Sequence, residues 1–146
     1  MKKKITTRSF EETQSLGKDL AKILKPLKNK AAIFALKGDP GGGKTIFTQG
    51  FAEGLGVKEK ILSPTFNIMK RFKVFKEGFK NFYHFDCYRL EKEGISFFDF
   101  EKTINNPENV ILIEWFENIE EAGLSIHTEP PHVFIGENTR EITLKK

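Results

Sequence analysis

No stretch narrows the possible folds of this chain more than Gly38-Asp39-Pro40-Gly41-Gly42-Gly43-Lys44-Thr45, which fits the pattern G-x-x-x-x-G-K-[ST]. Its surroundings fit as well. The apolar run from Ala31 to Leu36 reads as a buried strand that feeds the glycines, and a helix resumes from Lys44 to Leu55, with Gly54 and Gly56 near its end. In such a loop the glycines let successive backbone N–H groups turn inward without a Cβ clash, forming an anion nest at a positive helix end. Lys44 then neutralises the outer phosphates, and the Thr45 hydroxyl is placed to coordinate Mg²⁺. A tight strand-to-helix connection alone would give no reason for Lys-Thr to follow the last glycine. The sequence therefore predicts a P-loop, or Walker A, site for ATP and Mg²⁺.

A phosphate loop needs a neighbouring strand to bring a carboxylate beside the metal. Val110-Ile111-Leu112-Ile113-Glu114 offers an acid directly after an apolar strand, so Glu114 is expected to hold Mg²⁺ through a water or to orient the attacking water. In Phe82-Tyr83-His84-Phe85-Asp86-Cys87-Tyr88-Arg89, strand alternation puts His84, Asp86 and Tyr88 on one face. Asp86 there is either a metal-water ligand or base, or a partner in a salt bridge to a local lysine. His84 and Cys87, set among aromatics, read as core residues without chemistry. Ser63-Pro64-Thr65-Phe66 occupies the loop after the P-loop helix, where a segment that senses the terminal phosphate is often found; Thr65 is the candidate sensor.

Other segments fill in the frame. Ser9-Phe10-Glu11-Glu12 is a capping-box pattern, and Leu16, Leu20, Ile23, Leu24 and Leu27 recur at helical spacing, predicting about four turns that end near Pro26. Lys18, Lys22 and Lys25 share one face of that helix, the ordinary pattern of a water-facing side. Between Asn67 and Leu90, density in Phe, Tyr and Val around Glu77-Gly78 predicts two strands joined by a turn. Pro131 to Ile135 and Thr139 to Leu144, separated by Gly136-Glu137-Asn138, read as a terminal hairpin. The expected fold class is α/β: a P-loop NTPase-like sheet, mainly parallel at its core with antiparallel additions, flanked by helices.

With 146 residues, 38% of them hydrophobic, 30% charged and 15 Phe, the chain is expected to fold as one domain over 1–146 with a real core. The basic start Met1-Lys2-Lys3-Lys4 is followed by no apolar run, so we read neither a secretory signal nor a membrane span, and a cytoplasmic location is expected. Cys87 is the one cysteine, which excludes an intrachain disulfide and a multi-cysteine zinc site. A net charge of +4 would favour phosphates or an acidic partner, but the lysines are spread along the sequence rather than clustered into a nucleic-acid patch.

Taken in order, Gly38-Asp39…Gly43-Lys44-Thr45, Ser63-Pro64-Thr65-Phe66, His84-Phe85-Asp86-Cys87-Tyr88-Arg89 and Ile113-Glu114-Trp115 closely resemble the TsaE (YjeE) family. The loop is shared widely; the other three signatures at these spacings are far more specific. The resemblance implies an ATPase component of the bacterial machinery that installs N6-threonylcarbamoyladenosine (t6A) next to the tRNA anticodon, working with TsaB-like and TsaD-like partners and touching tRNA only indirectly or weakly. Family roles carried to matching positions put Lys44 on phosphate, Thr45 and Glu114 at Mg²⁺, Asp86 at the catalytic centre and Trp115 beside Glu114. Nucleotide contacts would run through Asp39, Pro40, Gly41, Gly42, Gly43, Lys44, Thr45 and Ile46, with Thr65 in a switch-like loop. Two positions depart from the pattern: Ile46, where a second Thr is common, and Phe116, where Pro is usual.

Arg71 and Arg89 are the only arginines close to these motifs. An arginine finger supplies about 10³ to 10⁵ in rate, so a chain without a well-placed one is expected to hydrolyse slowly until an assembly completes the site. Two other readings fit a phosphate loop: a small-molecule kinase, for which no arginine-bearing lid is evident, and a non-hydrolysing module that changes shape when ATP binds. The guanine reader Asn-Lys-x-Asp is missing, since Asn29-Lys30 runs into Ala31-Ala32.

Overall fold

In a computed structural model of the chain, residues 2–38, 43–61, 69–88, 97–121, 132–135 and 141–145 are described. Their elements run β1(Lys2–Thr6), α1(Phe10–Lys22), β2(Ala32–Gly38), α2(Lys44–Gly54), β3(Met69–Lys73), β4(Asn81–Asp86), α3(Phe97–Ile104), β5(Asn109–Glu114), α4(Glu117–Glu121), β6(His132–Ile135) and β7(Glu141–Lys145). The strands form one sheet in the order β1-β7-β6-β2-β5-β4-β3. β6, β2, β5 and β4 are mutually parallel, whereas β3, β7 and β1 each add antiparallel to a neighbour. This is the α/β class expected, a mainly parallel centre with antiparallel edges.

The centre is parallel because its strands are apolar on both faces. Every residue of β5 is buried, and alternate residues serve opposite layers. Val110 and Leu112 join Ala32, Phe34, Leu36, Phe72 and Phe82 beneath α1 and α2, while Ile111 and Ile113 join Ile33, Ala35, Phe85 and Cys87 beneath α3 and α4. On the first face phenylalanines interlock: the Phe51 ring lies 5.7 Å from both Phe34 and Phe82 and 6.2 Å from Phe47.

Helix α1 starts as the sequence predicts, with Ser9 Oγ accepting from the Glu12 N–H at 3.1 Å. The return arm of the box differs: Glu12 Oε2 accepts from the N–H of Arg8, at 2.6 Å, rather than from that of Ser9. The helix also stops at Lys22, earlier than expected, with Ile23 as its C-cap turned to solvent while Leu24 still packs against the core. Lys25 therefore lies beyond it, and Lys18 is not merely solvated but pairs with Glu53 of α2 at 3.3 Å.

Helix α2 ends in a Schellman motif, which explains the glycine after it. Gly56 adopts φ 78°, its N–H donates to Glu53 O at 3.0 Å, and the Val57 N–H reaches Ala52 O at 3.0 Å. The predicted turn at Glu77-Gly78 joins β3 to β4, with Gly78 at φ 90°. Three elements have no counterpart in the sequence reading: β1, α3 and α4. No described helix is long and apolar enough to cross a membrane.

Candidate functional site

Three parallel strands end together. In register, Leu36 of β2 lies beside Glu114 of β5, which lies beside Asp86 of β4. Register partners on parallel strands share a face, so both acids face the side of the sheet carrying α1 and α2. From β2 the chain passes to Gly43 and Lys44, where α2 begins on that same side. Carboxyl ends of parallel strands beside a helix N-terminus are where ligands of open α/β sheets bind.

Helix α2 opens on that corner without a side-chain cap, and its first turn contains no acidic residue. Among the described residues no side chain caps its leading amides, an arrangement that suits an anion. Within the helix, Phe47 N–H donates to Gly43 O at 2.7 Å and Thr48 Oγ1 to Lys44 O at 2.8 Å, so the first turn is closed. Thr45 is exposed on it. Lys44 Nζ rests 5.7 Å from the centroid of the Trp115 ring, a cation–π separation.

Asp86 is half-buried, and its Oδ1 accepts from the Tyr88 N–H at 3.2 Å. Among the described residues no lysine or arginine pairs with it, so the salt-bridge reading finds no partner there. Glu114 is 8% exposed, and its Oε2 lies 3.5 Å from His84 Nε2. That separation is close enough for attraction but does not make a hydrogen bond: His84 Nε2 is buried without a hydrogen-bond partner. Leaving such a nitrogen unpaired costs about 1–3 kcal/mol.

The backbone after the acids is held tightly. The Cys87 N–H donates to Glu114 O at 3.0 Å, tying the two strand ends together. Trp115, next in line, adopts φ 60°, unusual for a residue with a Cβ and costing on the order of 1–3 kcal/mol. Its ring meets that of Tyr88 at 5.0 Å. Asn118 of α4 closes the arrangement, its Nδ2 donating to Cys87 O at 2.8 Å and Tyr88 O at 3.4 Å. Cys87 itself is fully buried; burial, with Asp86 and Glu114 nearby, pushes its thiol up to about 12, which makes it inert as a nucleophile.

Of the residues singled out in the sequence, Lys44, Asp86, Glu114 and Trp115 meet at this corner, with Thr45 on the adjoining helical turn. Asp39, Pro40, Gly41, Gly42, Thr65 and Arg89 lie outside the described residues. Ile46 is half-buried on α2. Tyr88 departs from the alternation expected of it, because β4 ends at Asp86 and the next residues turn toward Trp115. Sequence reasoning missed Asn118, a polar residue in a five-residue helix that no motif marks.

The donors fit Mg²⁺. They are hard oxygens, a hydroxyl and carboxylates, and this ion is normally held on a phosphate loop by one or two such groups together with the phosphates rather than by a complete protein cage.

A family profile described as "Threonylcarbamoyl adenosine biosynthesis protein TsaE" matches residues 7–142. Over 136 residues the chain is 38% identical to the tRNA threonylcarbamoyladenosine biosynthesis protein TsaE of Bacillus subtilis, covering 91% of this chain and 78% of that protein. It is 42% identical over 119 residues to the protein of the same name from Rickettsia conorii, covering 79% of this chain and 62% of that one. Among solved structures it is similar to the crystal structure of Bacillus subtilis YdiB, with a TM-score of 0.69 and 33% identity, covering 99% of this chain and 84% of that one.

Proposed function

The chain belongs to the TsaE family, and from that premise we propose that it is the ATP-binding, slowly hydrolysing component of tRNA N6-threonylcarbamoyladenosine synthesis, cytoplasmic and activated in complex with TsaB-like and TsaD-like proteins. One observation carries the enzymatic part: Asp86 and Glu114 sit in register at the ends of adjacent parallel strands, beside the strand that leads into the Lys44 helix.

Lys44 offers its ammonium to the outer phosphates, and the amides at the start of α2 donate to phosphate oxygens. Thr45 Oγ1 and the Glu114 carboxylate would hold Mg²⁺, which would supply positive charge against the phosphates. Asp86, half-buried at the rim, is the carboxylate left to position the attacking water. Trp115 gives the Lys44 ammonium an aromatic resting face within reach of the phosphates. Arg71 is exposed on edge strand β3 and no other described arginine approaches the acids, in keeping with slow turnover until a partner supplies positive charge.

Calorimetry with Mg–ATP tests the site: wild type takes up one equivalent, and Lys44→Ala abolishes uptake. Reconstituted threonylcarbamoylation tests the role. Multiple turnover that continues unchanged without this protein would remove the pathway reading, and a phosphorylated small product formed with ADP would replace the ATPase by a kinase.

A further inference from the structure

One buried polar atom at the strand ends has no task in the chemistry above. The His84 side chain is 5% exposed, and its Nε2 is without a hydrogen-bond partner although Glu114 Oε2 is only 3.5 Å away. Its ring lies 6.5 Å from that of Phe82 with 7° between the planes. Phe82 is itself fully buried and packed against Phe51 and Phe72, so the imidazole cannot swing aside. Glu114 is the last residue of its strand, and among the described residues no side chain hydrogen-bonds its carboxylate. The fixed member of this pair is therefore the histidine and the adjustable one the glutamate.

We propose that His84 is a positioning residue for Glu114: its Nε2–H donates to one carboxylate oxygen once nucleotide is bound, leaving the other oxygen for the metal that Glu114 would hold. The proposal rests on the ATPase reading of the same site. Its physical content is that a carboxylate free to rotate presents either oxygen, whereas one tethered by a rigid donor presents a single face. In the structure the pair stands a few tenths of an ångström beyond hydrogen-bonding geometry, a gap that a small rotation of the Glu114 side chain closes.

His84→Phe keeps the aromatic volume against Phe82 and removes the donor, while His84→Gln returns an N–H near the position of Nε2. Expected for His84→Phe is unchanged Mg–ATP affinity and KM with kcat lowered about tenfold to a hundredfold, the usual range for an outer-shell partner of a metal ligand, and His84→Gln should recover most of it. A second readout is independent of turnover. In ¹⁵N-histidine-labelled protein an exchange-protected Nε2–H resonance should appear on addition of Mg–ADP and be lost or shifted in Glu114→Gln. Wild-type kcat in a folded His84→Phe protein, or an Nε2 that carries no proton in the nucleotide complex, overturns the inference and leaves the ATPase reading standing. Should either variant fail to fold, the resonance decides alone. If wild type neither binds nor hydrolyses Mg–ATP, both fall together.

Discussion

The layer where α1 and α2 cover the sheet and the corner where β4 and β5 end are built from the same strands, yet they resolve their packing in opposite ways. Under the helices everything is matched: Phe51 is fully buried among Phe34, Phe47 and Phe82, and the two helices approach so closely that a Cβ on Gly50 would lie 1.9 Å from Gln14 O. A few residues along the same strands, the chain tolerates a non-glycine residue at positive φ, a carboxylate with 8% exposure and an imidazole nitrogen without a partner. Such features persist only where the surroundings over-determine them, and they gather at sites that bind or react. The contrast teaches that the helical layer supplies the stability which the strand ends give up.

The division can be tested by perturbing each side in turn. Phe51→Ala should have the largest effect, a loss of about 3–5 kcal/mol in denaturant unfolding, with nucleotide affinity of the folded protein unchanged; wild-type stability would break the division outright. Gly50→Ala should cost about 3 kcal/mol, at the top of the usual range for overpacking, because the obstacle is backbone rather than a side chain that can move. A cost near zero would mean that the helices can part without penalty. Asn118→Ala should remove about 1–2 kcal/mol, from one good and one longer hydrogen bond to the Cys87 and Tyr88 carbonyls. This variant sharpens the comparison, since it should also lower turnover by loosening Asp86, and equal turnover would show that the clamp is structural only. The smallest effect at neutral pH belongs to Cys87. Its folded thiol stays protonated up to about 12 while an unfolded thiol ionises near the ordinary 9.0, so stability should fall as pH rises through that window and be unaffected below it. Cys87→Ser should flatten the alkaline limb of a stability–pH curve, and an identical limb would exclude this thiol as its source.

Much of this fold was legible in the sequence because its signals are local. The run Ala31 to Leu36 and the apolar Val110 to Ile113 each report their own strand, and the turn at Glu77-Gly78 needs a residue free to take positive φ. Helix α3 is one element that went unread, and it took shape only against the Ile111 and Ile113 face that Phe100 and Ile104 cover. Glu114 was legible as the acid that closes an apolar run, and Asp86 as a strand residue sharing a face with His84. His84 illustrates the limit: a histidine between aromatics reads as core and is indeed buried, but its orphaned nitrogen is visible only once β4 and β5 lie side by side.

By itself, then, the sequence determined that an apolar strand precedes a helix beginning Lys44-Thr45, and that each of two other strands brings an acid, because hydrophobic period is a property of neighbouring residues. The tertiary structure decided that Asp86 and Glu114 stand in register, that Trp115 takes the Lys44 ammonium, and that His84 faces Glu114. Those pairings depend on strand order and register, which are set by how whole faces pack together: a one-residue slip of β4 would turn Asp86 and His84 to the other side, and a slip of β5 would turn Glu114.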